Sequence, residues 1–499
     1  MTMTNFNFPK YNKIVGWLAF AIALLTYSLT VEPTASFWDA GEYISTSSKL
    51  EIGHPPGAPL YQMLGAFFSI FAPDSSYVAL CVNFMSCLAS AFTILFMCWS
   101  LSLLLRKLLK RNKIELTSSD QIAVLAASFI GSTAFAFTDS FWFNAVEAEV
   151  YAMAMFMLSS LFYVALLWER DMFKPRGNRW LMLICFIIGL SFGVHFMALL
   201  TIPAIGFLYF FKNYKTITVK NFIVANIIVV AVLMFIFKFL LPYTLSFFGY
   251  AEVFFVNTFG LPFNSGTIIA GLVFIAIFYY ILSYTRKKSY YQLNTLALSI
   301  LFIFIGFSSW LMLPIRANAG TTINENNPNN ARELLAYYNR EQYPETHLFY
   351  GPQFTEIFGG LDAQNPYVDG KPNYEKDEES GKYVIVNEWK NSVQNSEDRH
   401  KVFLPRMWST DHIANYMQFT GPLEFQVKSE YADNQELQQA VAQFKSDYAQ
   451  GRLDNEGFQS TLMRLRQYID VNPPSFADNL AYMFDFQFGY MYWRYFMWN

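Results

Sequence analysis

The sequence predicts an all-α polytopic membrane protein, a bundle of about nine spans followed by a long polar region, and three observations carry that reading. Of its 499 residues 54% are hydrophobic and only 15% are charged, whereas a soluble domain carries about a quarter charged residues. Apolar runs near the length of a bilayer core recur along the first 315 residues. The basic residues between those runs fall on alternate sides. The mean hydropathy is +0.23. A net charge of −3 offers no footprint for a nucleic acid. All four cysteines (Cys81, Cys87, Cys98 and Cys185) lie inside apolar runs, so no disulfide framework is expected. A soluble enzyme, a secreted disulfide scaffold and a disordered protein are all excluded.

The runs lie near 14–31, 78–105, 121–139, 149–168, 180–196, 197–211, 221–241, 267–285 and 293–315. The first is too long and too aromatic for a cleavable signal and reads as an anchor. The pair over 180–211 reads as two short spans hinged near His195–Pro203, or as one long span with a re-entrant piece. With the N-terminus cytoplasmic, the inner segments hold Lys10 and Lys13 and the basic clusters of 106–113, 170–179, 212–220 and 286–288. The outer loops before residue 316 then hold Lys49 alone. This asymmetry predicts an inside N-terminus and places residues 316–499 on the extracytoplasmic side. Lys238, inside the seventh run, reads as a snorkelling side chain.

Three regions follow: a transmembrane domain over 1–315 with a first outer loop at 32–76, a polar region over 316–476, and an aromatic segment over 477–499. Helical spacing is visible near 331–341 and over 432–468, the latter broken at Gly451 into a helical hairpin. The closing FDFQFGYMYWRYFMWN reads as an interfacial belt or as the approach to a further span in a longer protein.

The first outer loop carries the densest chemistry. Trp38 precedes Asp39 and Glu42, whose i, i+3 spacing puts both carboxylates on one face of a helix. His54 opens a turn, His-Pro-Pro-Gly-Ala-Pro, in which prolines fix φ and exclude a continuous helix. Glu147 and Glu149 lie between the third and fourth runs, and on a helix at most one could face a common cleft. His195 and Arg316 sit near the outer ends of the fifth and ninth runs. Ionisable groups at a membrane rim are costly and mark functional sites. Each also has a plainer reading: a helix cap for Asp39, Glu42 or one of the paired glutamates, a turn hydrogen bond for His54, a satisfied buried imidazole for His195, a membrane-boundary guanidinium for Arg316, and an interfacial belt for Trp38.

These groups suit the transfer of a sugar from a polyprenyl phosphate. A carboxylate serves as base toward the acceptor hydroxyl, while the leaving phosphate needs only a cation or helix N-terminus. Phosphate loops, zinc-protease motifs and nucleophile elbows are absent from the sequence. Two other classes stay open. A lipid-carrier transporter predicts ionisable groups at the midplane and inverted repeats, and a non-catalytic scaffold of an envelope machine predicts that Asp39 and Glu42 are dispensable.

The motifs FWDAGEYI, GHPPGAPLY, NAVEAEVYAM, GVHFM and PIRANAG…NNP…NREQY resemble those of a bacterial family of polytopic membrane proteins formerly of unknown function. That family is related to the transmembrane protein O-mannosyltransferases and, more distantly, to the GT-C glycosyltransferases. The resemblance runs from residue 37 to about 343, with weaker matches (FLPRMWSTDHI, MYWRYFMWN) beyond. It implies a GT-C-like bundle in a bacterial inner membrane, a polyprenyl-phosphate hexose donor, possible use of a divalent metal, and a protein or glycan hydroxyl as acceptor. Asp39 would then be the base, with Glu42 orienting it or the acceptor. Glu147 or Glu149 would match the second acidic position, with His54 and His195 lining the donor pocket. Arg316 is expected to meet phosphate on its position and chemistry alone.

Overall fold

The computed structural model of the chain describes residues 6–343, 347, 349–370, 372–386, 393–407 and 409–498. It forms two compact units, Met1–Gln342 and Tyr343–Asn499.

The first unit is an all-α bundle. Among the described residues seven helices are long and apolar enough to cross a membrane: Phe8–Leu29, Ser75–Leu109, Val150–Asp171, Phe196–Asn213, Val219–Phe259, Ser265–Lys287 and Tyr291–Ala317. An eighth is completed if Ser118–Ala136 and Asp139–Ala145, bent by 69° where they meet, form one span. Every apolar run is thus helical, but the expected count of about nine becomes seven or eight. The difference lies at 180–211, where Asn178–Ser191 is a helix of only 14 residues. A turn and a 3₁₀ segment, Phe196–Thr201, separate it from Ile202–Asn213. A span needs about 20 apolar residues.

Helices are labelled in chain order: α1 Phe8–Leu29, α2 Ala40–Lys49, α3 Pro59–Ser69, α4 Val78–Leu109, α5 Ser118–Ala136, α6 Asp139–Ala145, α7 Val150–Asp171, α8 Asn178–Ser191, α9 Ile202–Asn213, α10 Val219–Met234, α11 Leu241–Phe259, α12 Ser265–Lys287, α13 Tyr291–Phe307, α14 Met312–Ala317 and α15 Ala331–Asn339. Their ends follow from local chemistry. Thr117 and Asp120 form a reciprocal capping box on α5, and Thr218 with Asn221 does the same for α10. Pro59 occupies the first turn of α3, where its missing N–H costs nothing. Small residues let helices meet closely inside the bundle. Gly189 on α8 and Gly306 on α13 each lie so near the other helix that an added Cβ would strike backbone.

The expected first outer loop is therefore two helices, α2 and α3, joined by the proline turn. Residues 316–342, expected to begin the polar region, pack instead onto the first unit. The backbone of Ile52 bridges to Asn324, and α15 contributes Leu334, Tyr337 and Tyr338 to a core that also holds Trp310 and Phe192.

The second unit has its own core around Tyr416, Phe444, Phe458 and Val471. Helices Gln435–Ala449 and Asn455–Leu465 occupy the stretch read as a hairpin, with Gly451 between them at φ +71°. Antiparallel pairs such as Phe425–Val427 with Ile469–Val471 accompany them. The chain closes with helical segments Tyr482–Tyr492 and Trp493–Trp498, which expose Phe484, Phe488, Trp493 and Phe496.

Candidate functional site

Asp39 is the N-cap residue of α2, and Glu42 lies in that helix's first turn. A short helix displayed beyond the end of α1 thus carries both acids, as their spacing predicts. The following turn is held from several sides. Its backbone bridges Ile323 and Glu325 through Ile52. The buried Tyr337 hydroxyl donates to the carbonyl of Gly53 at 2.5 Å and approaches that of His54 at 3.3 Å. Gly57 is required here, because it sits at φ +75° and a Cβ would lie 2.6 Å from the Tyr337 hydroxyl.

This scaffold presents His54 to both acids. Its backbone N–H donates to Glu42 Oε1 at 2.7 Å, and its Nδ1 lies 3.1 and 3.0 Å from Glu42 Oε1 and Oε2. Its Nε2 faces Asp39 Oδ2 at 3.9 Å. The hydrogen bond to Glu42 raises the His54 pKa against the opposing effect of burial. Burial alone would raise that of Glu42, but the bonds from His54 outweigh it and hold the carboxyl below its ordinary value.

A cavity of about 220 Å³ opens beside the pair. Asp39, His54, Glu149, His195 and Arg340 line it, with Tyr43, Tyr151 and Phe196. Glu149 is the N-cap residue of α7 and is 5% exposed. Its Oε1 accepts the backbone N–H of Asp39 at 3.2 Å. Burial first, and then the charges of Asp39 and Glu147, push its pKa up to about 7. His195 Nδ1 accepts the Met197 backbone N–H at 3.1 Å, which puts the proton of the neutral ring on Nε2. Burial lowers its pKa and favours that neutral form.

The other expected residues lie elsewhere. Glu147, 3% exposed, accepts from the Ser36 hydroxyl at 2.7 Å and ties down the chain before α2. Helix α7 begins only at Val150, so the helical reckoning that separated the two glutamates does not apply, although one of them alone lines the cavity. Trp38 is 87% exposed, with φ +62°. Glu42 reaches the site through His54. Arg316 does not line the cavity. Its Nε donates to Leu50 O at 2.6 Å and its Nη2 to Lys49 O at 3.1 Å, satisfying carbonyls at the C-terminal end of α2. The arginine that lines the cavity is Arg340, the C-cap residue of α15. It stands in the NREQY motif just beyond a helix legible from the sequence, and that was the available signal.

One ligand atom each from Asp39, Glu42 and His54 lies within 4.8 Å of the others, a set able to hold a metal ion. Carboxylate and imidazole together suit a transition-metal ion better than calcium. His54, however, already has Nδ1 engaged by Glu42, so a cation would meet Nε2 and Asp39 with Glu42 behind the ring.

Together these features define a multi-pass, all-α membrane protein in which α2, the proline turn after it and the start of α7 help to line an acidic cavity. Residues 39–218 match the family described as Protein O-mannosyl-transferase TMEM260 N-terminal domain. The chain is related to the protein O-mannosyl-transferases. Residues 344–484 match a second family, described as a family of unknown function (DUF8416). The Protein O-mannosyl-transferase tmem260 of Dictyostelium discoideum is 26% identical over 154 residues, a stretch covering 31% of this chain and 17% of that relative. The chain therefore matches well under two thirds of that relative's length. No solved structure matches.

Proposed function

We propose that this chain is a GT-C-type glycosyltransferase that moves a hexose from a polyprenyl-phosphate donor to a hydroxyl acceptor, a protein Ser or Thr, at the extracytoplasmic face. The observation that carries the reading is that an accessible acid, Asp39, and an arginine, Arg340, line one small cavity. The family relation points to the same class of transfer. The distribution of basic residues supports a cytoplasmic N-terminus and an outward-facing cavity.

The Asp39 side chain is 57% exposed, open to a substrate. In the reaction it takes the proton of the acceptor hydroxyl as that oxygen attacks the anomeric carbon. The bond from that carbon to the phosphate oxygen breaks, and polyprenyl phosphate departs. Arg340 offsets the charge on the leaving phosphate. His195, with its proton on Nε2, supplies a neutral donor to a sugar or phosphate oxygen. Glu42 acts as a positioning residue that fixes the His54 ring beside Asp39.

The test is Asp39→Asn, nearly isosteric and unable to act as a base. It is compared with wild type at matched expression for transfer of radiolabelled sugar from polyprenyl phosphate in membranes. A loss of about 10² or more is expected. Unchanged transfer would exclude Asp39 and move the base to Glu149. Absence of transfer by the wild type in membranes supplied with donor would remove the enzyme reading itself.

A further inference from the structure

A second cavity lies behind α15, distinct from the acidic one. It measures about 590 Å³, within the ~300–1,000 Å³ usual for ligand sites. Its walls come from three spans: Leu245 and Phe248 from α11, Ile268 and Phe274 from α12, and Phe304 and Phe307 from α13. Its polar lining is Asn264, Asn318, Asn329 and Asn330, with Thr244, Thr267 and Ser308, and none of the residues lining it is ionisable. Asn318, Asn329 and Asn330 are held in place. Asn318 Nδ2 donates to Pro314 O at 2.8 Å and to Asn329 O at 2.7 Å, and Asn330 Nδ2 donates to Asn329 Oδ1 at 2.8 Å.

An apolar slot walled by membrane-spanning helices receives hydrocarbon from the bilayer. Amides offer both donors and acceptors and match hydroxyl groups, whereas a phosphate here would lie in an apolar slot with no cation in its lining. We propose that this cavity binds a membrane lipid whose headgroup is uncharged and rich in hydroxyls.

Its position gives occupancy a consequence. Leu334 of α15 lines the lipid cavity. Tyr337, three residues on, holds the Gly53 and His54 carbonyls, and Arg340 at the helix end lines the acidic cavity. Trp310 also lines the lipid cavity, and its indole N–H donates at 2.9 Å to the carbonyl of Phe192, a residue of the acidic cavity. A lipid seated against α15 therefore stabilises the helix that presents Tyr337 and Arg340.

The test uses the 499-residue chain in lipid nanodiscs and two probes with the same diazirine-bearing acyl chain, a monoacylglycerol and a lysophosphatidylglycerol. Monoacylglycerol labelling is expected on peptides spanning 244–248 and 304–315, roughly tenfold above the anionic probe. Leu311→Trp, which fills the cavity, should abolish most of that labelling, while Leu311→Ala keeps it and shows that the fold tolerates change at this position. Monoacylglycerol should also slow amide exchange over 331–340. Equal labelling by both probes, labelling elsewhere, indifference to Leu311→Trp, or unaltered exchange in α15 would each overturn the proposal. None of these readouts depends on sugar transfer.

Discussion

Glu42 grips His54 from two directions at once, accepting its backbone N–H at 2.7 Å while meeting the ring Nδ1 at 3.0 Å. The ring cannot turn without breaking the second contact, so Nε2 stays directed at Asp39. The His54 pKa is raised and that of Glu42 lowered, so the pair's stabilisation has two edges. The His54 part is fully present below its unfolded value and is lost as pH rises through the raised folded value. The Glu42 part is present above its unfolded value and is lost as pH falls through the lowered one. Glu42→Gln should therefore lower thermal stability by on the order of 1 kcal/mol at pH 6 and by much less at pH 9. Melting curves in detergent at the two pH values decide it, and an equal loss at both would count against the ion pair.

Glu149 governs a different dependence. With a pKa of about 7, it gains charge as pH rises through neutrality, beside Asp39 and inside a cavity proposed to receive a phosphate. The KM for donor should rise over that range in the wild type. Glu149→Gln stays neutral, so its KM should rise less than that of the wild type, with kcat little altered. Steady-state kinetics from about pH 6 to 8.5 test this, and a variant that keeps the wild-type rise would place the titrating group elsewhere.

The two arginines should separate cleanly. Arg340→Gln is expected to raise the KM for donor about tenfold or more, through loss of a charge-assisted contact. Arg316→Gln should leave the donor KM little changed and cost about 1–3 kcal/mol of stability through the carbonyls it leaves at the end of α2. Parallel melts and donor titrations suffice. A KM defect confined to Arg316→Gln would reverse the assignment.

Tyr337→Phe removes one buried hydroxyl and little else. The Gly53 carbonyl then loses its 2.5 Å partner, at a cost of about 1–2 kcal/mol. Loosening of the 53–57 turn should reduce kcat more than the donor KM, because His54 is carried on that turn. Amide exchange over 51–58 should speed up, and unchanged exchange would show that the turn holds without Tyr337.

Addition of EDTA distinguishes two uses of the same acids. Since His54 Nδ1 is already engaged by Glu42, transfer is expected to persist in chelator. A loss restored by a transition-metal ion would instead make Asp39 and His54 ligands.

The amino-acid sequence by itself determined that the chain spans a membrane repeatedly, where its apolar helices fall, and that Asp39, Glu42 and His54 fall in one short segment after the first span. Composition and local spacing carry that information: 15% charged residues cannot coat a soluble domain of this size, and an i, i+3 pair beside a proline turn is geometry within one short segment. Tertiary structure alone shows that Glu149 rather than Glu147, and Arg340 rather than Arg316, lines the cavity. The first choice depends on where α7 begins, since residues just before a helix do not follow helical angles. The second depends on α15 folding back so that Tyr337 meets Gly53 across 284 residues of chain. Both guanidiniums stand at the ends of short helices, and nothing local distinguishes the one that satisfies backbone carbonyls from the one that lines the cavity. Packing made that distinction, because it set which helix end lies over the loop and which lies over the cavity.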